Sequence, residues 1–283
     1  MSGHEEGEVV SLADKRARAQ AAAAEAARAQ ARQQARRDGP AAKPWLTWTL
    51  IGINAAVWVV MVGLGVHAFE PSALALLQWG GNLGVFVGAG DWWRLLTAMF
   101  LHAGLFHLAF NLYFLWVIGR VCEQIFGPGA YALVYFGSGL LASLVSALWQ
   151  PAVVSVGASG ALFGVFGAFV AFTIRRRDML PPEFVRSVRR NALILIGLNL
   201  VIGVAVPGID LAAHIGGLVA GLGIGYSIAK LAEKPVANEQ EARKLRIRAI
   251  GLTAAATIAV LVAGSFAVPR YASQIEAIES AAP

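Results

Sequence analysis

Cysteine occurs once in this chain, at Cys122. One thiol excludes an intrachain disulfide and argues against a cysteine-built metal cluster. Charge is scarce as well: 14% of the 283 residues are charged, against 57% hydrophobic. That balance excludes an ordinary soluble globule and points to an integral membrane protein. The first 44 residues lack the apolar run of a secretory signal. Their Arg and Ala content resembles a mitochondrial transit peptide, but such peptides avoid acids, and Glu5, Glu6, Glu8, Asp14 and Glu25 stand against it. There is no H-E-x-x-H, and no carboxylate accompanies the histidines inside the apolar segments, so neither metal nor cofactor is expected. A net charge of +6 invites a nucleic-acid reading. The basic residues flank apolar stretches, however, and orientation in a bilayer explains them better; no nucleic-acid partner is expected.

Seven apolar stretches follow the polar start, near 46–66, 97–118, 130–149, 157–174, 192–207, 211–230 and 248–268. Most approach the roughly 20 residues that cross hydrocarbon. The fifth is short, and Pro207-Gly208 leaves room only for a tight turn into the sixth. With the N-terminus inside, all but Arg94 and Arg270 of the 23 Lys and Arg residues fall on the inner side, which sets the orientation. Residues 1–44 then form a cytoplasmic extension, helical over Ser11–Arg37, where Gly and Pro are absent. Asp38-Gly39-Pro40 ends that helix. Residues 67–96 form one long outer loop whose Leu and Trp content, including Trp79, Trp92 and Trp93, suits the membrane interface better than open water.

Ionisable side chains inside a membrane are costly, so an intramembrane His marks a functional candidate. His102 and His107 open the second stretch and His214 opens the sixth, all toward the outer face. Ser159 lies between Gly157 and Gly160 at the outer end of the fourth. A glycine-flanked Ser with histidines and Asn111 at one depth suggests a nucleophile, a base and polar donors. A Ser at the N-terminus of a helix also meets free N–H groups and the positive helix end. His214, Gly217 and Gly221 share a helix face, and Gly160, Gly164, Gly167 and Ala171 make a small-residue stripe. Small faces let two helices touch, which would bring Ser159 to His214. His107 and Asn111 share a face at i and i+4, with His102 off it. The bland alternatives are a packing Ser159, a His214 bonded to a carbonyl and a structural His102. Asp210 reads as the N-cap of the sixth span rather than as the acid of a triad. Phe163, one turn beyond Ser159, is placed to pack against His214.

His102-x4-His107-x3-Asn111, Gly157-Ala158-Ser159-Gly160 and Ala213-His214-Ile215-Gly216-Gly217 resemble the three signature segments of the rhomboid intramembrane serine proteases. Trp93-Arg94 resembles that family's tryptophan–arginine motif. The resemblance runs from about Trp45 to Lys230, and four motifs in order make it specific. It implies an all-α polytopic membrane protein: a rhomboid-like six-helix core over 45–230, with 67–96 as a half-submerged hairpin. A cytoplasmic linker at 231–247, a C-terminal seventh transmembrane helix at 248–268 and an outer tail at 269–283 would follow. The implied activity is serine endopeptidase cleavage of single-pass transmembrane proteins by a Ser159–His214 dyad. His107 and Asn111 would be oxyanion donors, and Gly157 would support the site by giving substrate room. His102 would serve structure or water supply, lining with His107 and Asn111 a polar cavity that leads to Ser159. An extra span at the C-terminal end favours a bacterial inner membrane over a mitochondrion. The alternatives are a catalytically inactive rhomboid-like binder of membrane clients, although such relatives typically lack the Ser or the His, and a haem or metal protein using the histidines.

Overall fold

A computed structural model of the chain describes residues 43–205, 208–231 and 239–268, together with Gln20 and Ala24. The chain divides into two units, Met1–Lys43 and Pro44–Pro283. In the first, Gln20 and Ala24 are helical; the rest of the helix expected over Ser11–Arg37 lies outside the described residues, as do Pro207 and the expected tail at 269–283.

The described residues of the second unit are mostly helical. Its elements are α1 (Trp45–Gly63), α2 (Ala73–Gln78), α3 (Gly84–Ala89), α4 (Arg94–Thr97), α5 (Leu105–Phe114), α6 (Arg120–Phe126), α7 (Pro128–Trp149), α8 (Ser159–Arg175), α9 (Pro182–Ala205), α10 (Leu211–Leu231) and α11 (Glu239–Ser265). A π-helical segment, Leu115–Gly119, joins α5 to α6 in one run, and Ala98–Phe100 is a 3-10 turn. Five of these runs are long and apolar enough to cross a membrane: Trp45–Gly63, Leu105–Phe126, Pro128–Trp149, Leu211–Lys230 and Arg243–Ser265. α8, at 17 residues, is shorter.

Three boundaries differ from expectation. The second span begins at Leu105 rather than 97, because Gly104 takes φ +101° and breaks the chain there. α9 begins at Pro182, ten residues before the apolar part, and α11 begins at Glu239 rather than 248. Arg and Lys are good helix formers, so helices run on through basic turns that an apolar pattern cannot see. The stretch expected as a linker at 231–247 is therefore helical from Glu239 onward.

α8 and α10 meet along glycine. A Cβ on Gly217 would fall on the carbonyl oxygen of Gly160, one on Gly221 on that of Gly164, and one on Gly225 against the backbone of Ala168. The two expected small-residue faces are thus in backbone contact. α7 packs on both, and Tyr131, Tyr135, Val165, Ala168 and Ile224 are buried in the shared core.

Arg94 answers a question the sequence leaves open. Its side chain is buried; Nη1 donates to the carbonyls of Leu77 (2.8 Å) and Gly81 (3.2 Å), and Nε donates to Asp91 (2.9 Å). The guanidinium also lies over the rings of Phe86 and Trp93. One fork therefore ties α2, α3 and α4 of the 67–96 segment together. Arg94→Lys keeps the charge but cannot span three acceptors. It is expected to cost about 1–3 kcal/mol, read as a lower midpoint of thermal unfolding in detergent; an unchanged midpoint would show that the fork contributes nothing.

Candidate active site

Ser159 is the first residue of α8, so N–H groups of the first turn at Ser159, Gly160 and Ala161 have no acceptor within their own helix. The loop before it is held in two places. Asn82 and Ser155 pair as an antiparallel bridge (3.0 and 2.8 Å), and the Asn82 amide donates to the Ser143 carbonyl (2.8 Å). Gly157 N–H donates to the Ala98 carbonyl (2.9 Å). The segment that delivers Ser159 is therefore tied to the 67–96 segment, to α7 and to the turn before α5.

His214 sits in the first turn of α10. Its Nε2 lies 2.8 Å from Ser159 Oγ. The ring stacks on Phe163, centroids 4.6 Å apart and planes at 26°. With the imidazole face covered, its ring edge is directed at the hydroxyl. The close α8–α10 contact makes this possible, because a side chain at Gly217 would hold the two helix starts apart.

His107 and Asn111 approach from α5. Ala103 N–H donates to His107 Nδ1 (3.3 Å), so a neutral ring carries its proton on Nε2. The Asn111 amide donates to the His107 carbonyl (3.0 Å), which fixes its nitrogen end. A Cβ built on Gly157 would lie 2.9 Å from His107 Nε2 and 3.7 Å from Asn111 Nδ2. Both nitrogens thus face one spot beside Gly157, two residues from Ser159. Gly157 itself takes φ +124°, a conformation that L side chains avoid. Two donors, a hydroxyl and an imidazole converging in this way can stabilise a tetrahedral oxyanion and shuttle a proton.

His102 is buried, edge-on to His107 at 5.2 Å between ring centroids. A small cavity lies beside Ser159. It is lined by Ala98, Met99, Ser143, Ser155 and Asp210 among others. Asp210 caps α10, its Oδ1 accepting from Ala213 N–H (2.8 Å). Its Oδ2 accepts from Ser146 on α7 (2.5 Å). Neither Ser146 nor Asn82 stands out in sequence, since an isolated Ser or Asn carries no periodic signal.

The family model of the rhomboid domain matches residues 89–231. The chain is 35% identical over 179 residues to "Rhomboid protease GluP" of Bacillus subtilis (strain 168), covering 63% of this chain and 34% of that protein. It is 34% identical over 197 residues to "Rhomboid protease AarA" of Providencia stuartii, covering 62% of this chain and 69% of that protein. With "RHOMBOID-like protein 5" of Arabidopsis thaliana the identity is 39% over 217 residues, covering 66% and 69%. The chain thus spans about a third of the Bacillus protein's length and about two thirds of the other two.

Proposed function

Because the chain belongs to the rhomboid family, we propose that it is an intramembrane serine endopeptidase cleaving single-pass transmembrane proteins near the outer leaflet. The observation that carries this is the 2.8 Å contact between His214 Nε2 and Ser159 Oγ. Ser159 attacks the scissile carbonyl while its proton passes to His214 Nε2. The oxyanion accepts from His107 Nε2–H and an Asn111 amide N–H. His214 then gives its proton to the leaving amine, and water releases the acyl group from Ser159. Gly157 leaves the substrate backbone room beside the donors. His102 supports His107 by packing against it and takes no proton. The same elements would serve an inactive client binder less well, since that role needs neither the hydroxyl nor the imidazole.

The core is read as six spans over 45–230, counting α8 and the apolar half of α9, with α11 as a seventh at the C-terminal side. The distribution of the basic residues supports a cytoplasmic N-terminus and a site toward the outer side, and the extra span at the C-terminal end, by resemblance, supports a bacterial inner membrane. At 1.5 Å per residue α8 is about 25 Å long, short of the roughly 30 Å hydrocarbon layer. Its first residue, Ser159, then lies below the outer surface, with residues 67–96 half-submerged around it. Substrates with small or helix-breaking residues near the cut unwind at least cost.

The test needs no substrate. Purified protein in detergent is expected to be labelled by a fluorophosphonate, and Ser159→Ala and His214→Ala are expected not to be. Asn111→Ala is expected to label about 100-fold more slowly through the loss of one oxyanion donor. Equal labelling of wild type and Ser159→Ala would sink the reading.

A further inference from the structure

Asp210 does more than end a turn. Three bonds leave it, in three directions. Its Oδ1 accepts from Ala213 N–H (2.8 Å), its main-chain carbonyl accepts from His214 N–H (3.2 Å), and its Oδ2 accepts from the Ser146 hydroxyl (2.5 Å). The first two fix consecutive residues of the turn that carries the imidazole. The third crosses to a different helix, 64 residues away in sequence. Ser146 is buried at the outer end of α7, four residues before Gln150 closes that helix. An ordinary N-cap needs only one oxygen. Here the second oxygen is spent on α7, so the start of α10 is tied to a helix that does not carry the nucleophile.

The glycine contacts explain why such a tie is needed. Gly217, Gly221 and Gly225 set how closely α10 approaches α8, but they lie from one turn to three turns beyond His214. A smooth small-residue face permits close approach but leaves sliding and rotation of a helix end weakly opposed. His214 is in the first turn, where helices fray first. A shift of about 1 Å there would break the contact with Ser159 and cost about 100-fold in rate. Resting on the dyad reading above, we propose that Asp210 and Ser146 form a latch between α10 and α7 that positions His214 against Ser159. In this role Asp210 is a positioning residue; it exchanges no proton with the imidazole.

Four full-length variants in detergent test the latch: Asp210→Ala, Asp210→Asn, Ser146→Ala and Asp210→Ala/Ser146→Ala. Asn keeps an acceptor for Ala213 N–H and offers an amide donor to Ser146, so it rebuilds both bonds without the charge. The first readout is the rate of fluorophosphonate labelling, taken well below each variant's thermal midpoint. Asp210→Ala is expected to fall about 10- to 100-fold, Ser146→Ala by less, the double variant no further than Asp210→Ala, and Asp210→Asn to return to within about threefold of wild type. The second readout is independent of activity. The ring carbon signal of His214 in protein carrying 13C-labelled histidine, assigned by its loss in His214→Ala, is expected to be single in wild type and Asp210→Asn. In Asp210→Ala it is expected to split or broaden. A single His214 signal in Asp210→Ala, or labelling of Asp210→Ala at the wild-type rate, overturns the proposal. So does a loss in Asp210→Asn equal to that in Asp210→Ala, which would assign the effect to charge. If the wild type itself takes no label, the protease reading fails while the ring signal still decides the latch.

Discussion

Gly217→Leu is expected to abolish fluorophosphonate labelling and to leave little folded protein. The first added carbon would lie 2.0 Å from the carbonyl oxygen of Gly160, and the next atoms of the leucine have nowhere to go, because Gly221 and Gly225 hold the two backbones together along the same face. Inserting methylenes into a packed core where side chains can give way typically costs about 1–3 kcal/mol. Here the obstacle is backbone, so the cost lies above that range. If α10 swings away to make room, its first turn moves with it and the 2.8 Å contact from His214 to Ser159 is lost. Gly223→Leu is the control. Nothing lies within 4 Å of a Cβ at Gly223, which is exposed on the same helix. It is expected to fold and label as wild type, since leucine is also the better helix former. Thermal unfolding in detergent beside labelling of the two variants checks the pair; similar behaviour of Gly217→Leu and Gly223→Leu would mean that the glycine contact is not what brings the helices together.

Glu123→Ala is expected to be the most damaging substitution away from the site. Glu123 is buried in the middle of α6, and its carboxylate accepts from Leu46 N–H (3.0 Å), Thr47 N–H (2.8 Å) and the Thr47 hydroxyl (2.7 Å). These are the orphan donors of the first turn of α1, which Pro44 at the N-cap position does not satisfy. The negative carboxylate also faces the positive end of α1. Alanine would leave two N–H groups and a hydroxyl without acceptors. At about 1–3 kcal/mol per buried unsatisfied group, and with partial relief by water at the helix end, a loss of about 3–5 kcal/mol is expected. Glu123→Gln keeps one acceptor oxygen but presents an N–H₂ to donors, so it is expected to fall between alanine and wild type. The midpoint of thermal unfolding orders the three; an alanine variant as stable as the wild type would show that α1 is held by packing alone.

Most of the architecture is written in one dimension. Apolar runs, the distribution of Lys and Arg, and the spacing of Gly217 and Gly221 against that of Gly160 and Gly164 are local patterns, and in lipid each backbone must satisfy itself within its own helix. The long apolar helices and their order were therefore legible from sequence, as were the face on which α8 meets α10, the stacking of Phe163 on His214 and the capping role of Asp210; the short helices α2, α3 and α4 were not. Helix ends were less so. The positive φ of Gly104 and the helical basic turns of α9 and α11 carry no apolar signal. What tertiary structure alone decided are the bonds between distant polar groups: Glu123 with Thr47, Arg94 with Leu77 and Gly81, Asn82 with Ser143, and Asp210 with Ser146. Each pairs a group that looks ordinary in sequence with a partner chosen by three-dimensional proximity, and a one-dimensional pattern holds no record of distance across helices. The cavity beside Ser159 belongs with them, since its walls come from α7, α10 and the 3-10 turn at once. Periodicity determined which faces are apolar; the packing of those faces then determined which polar groups were left within reach of one another.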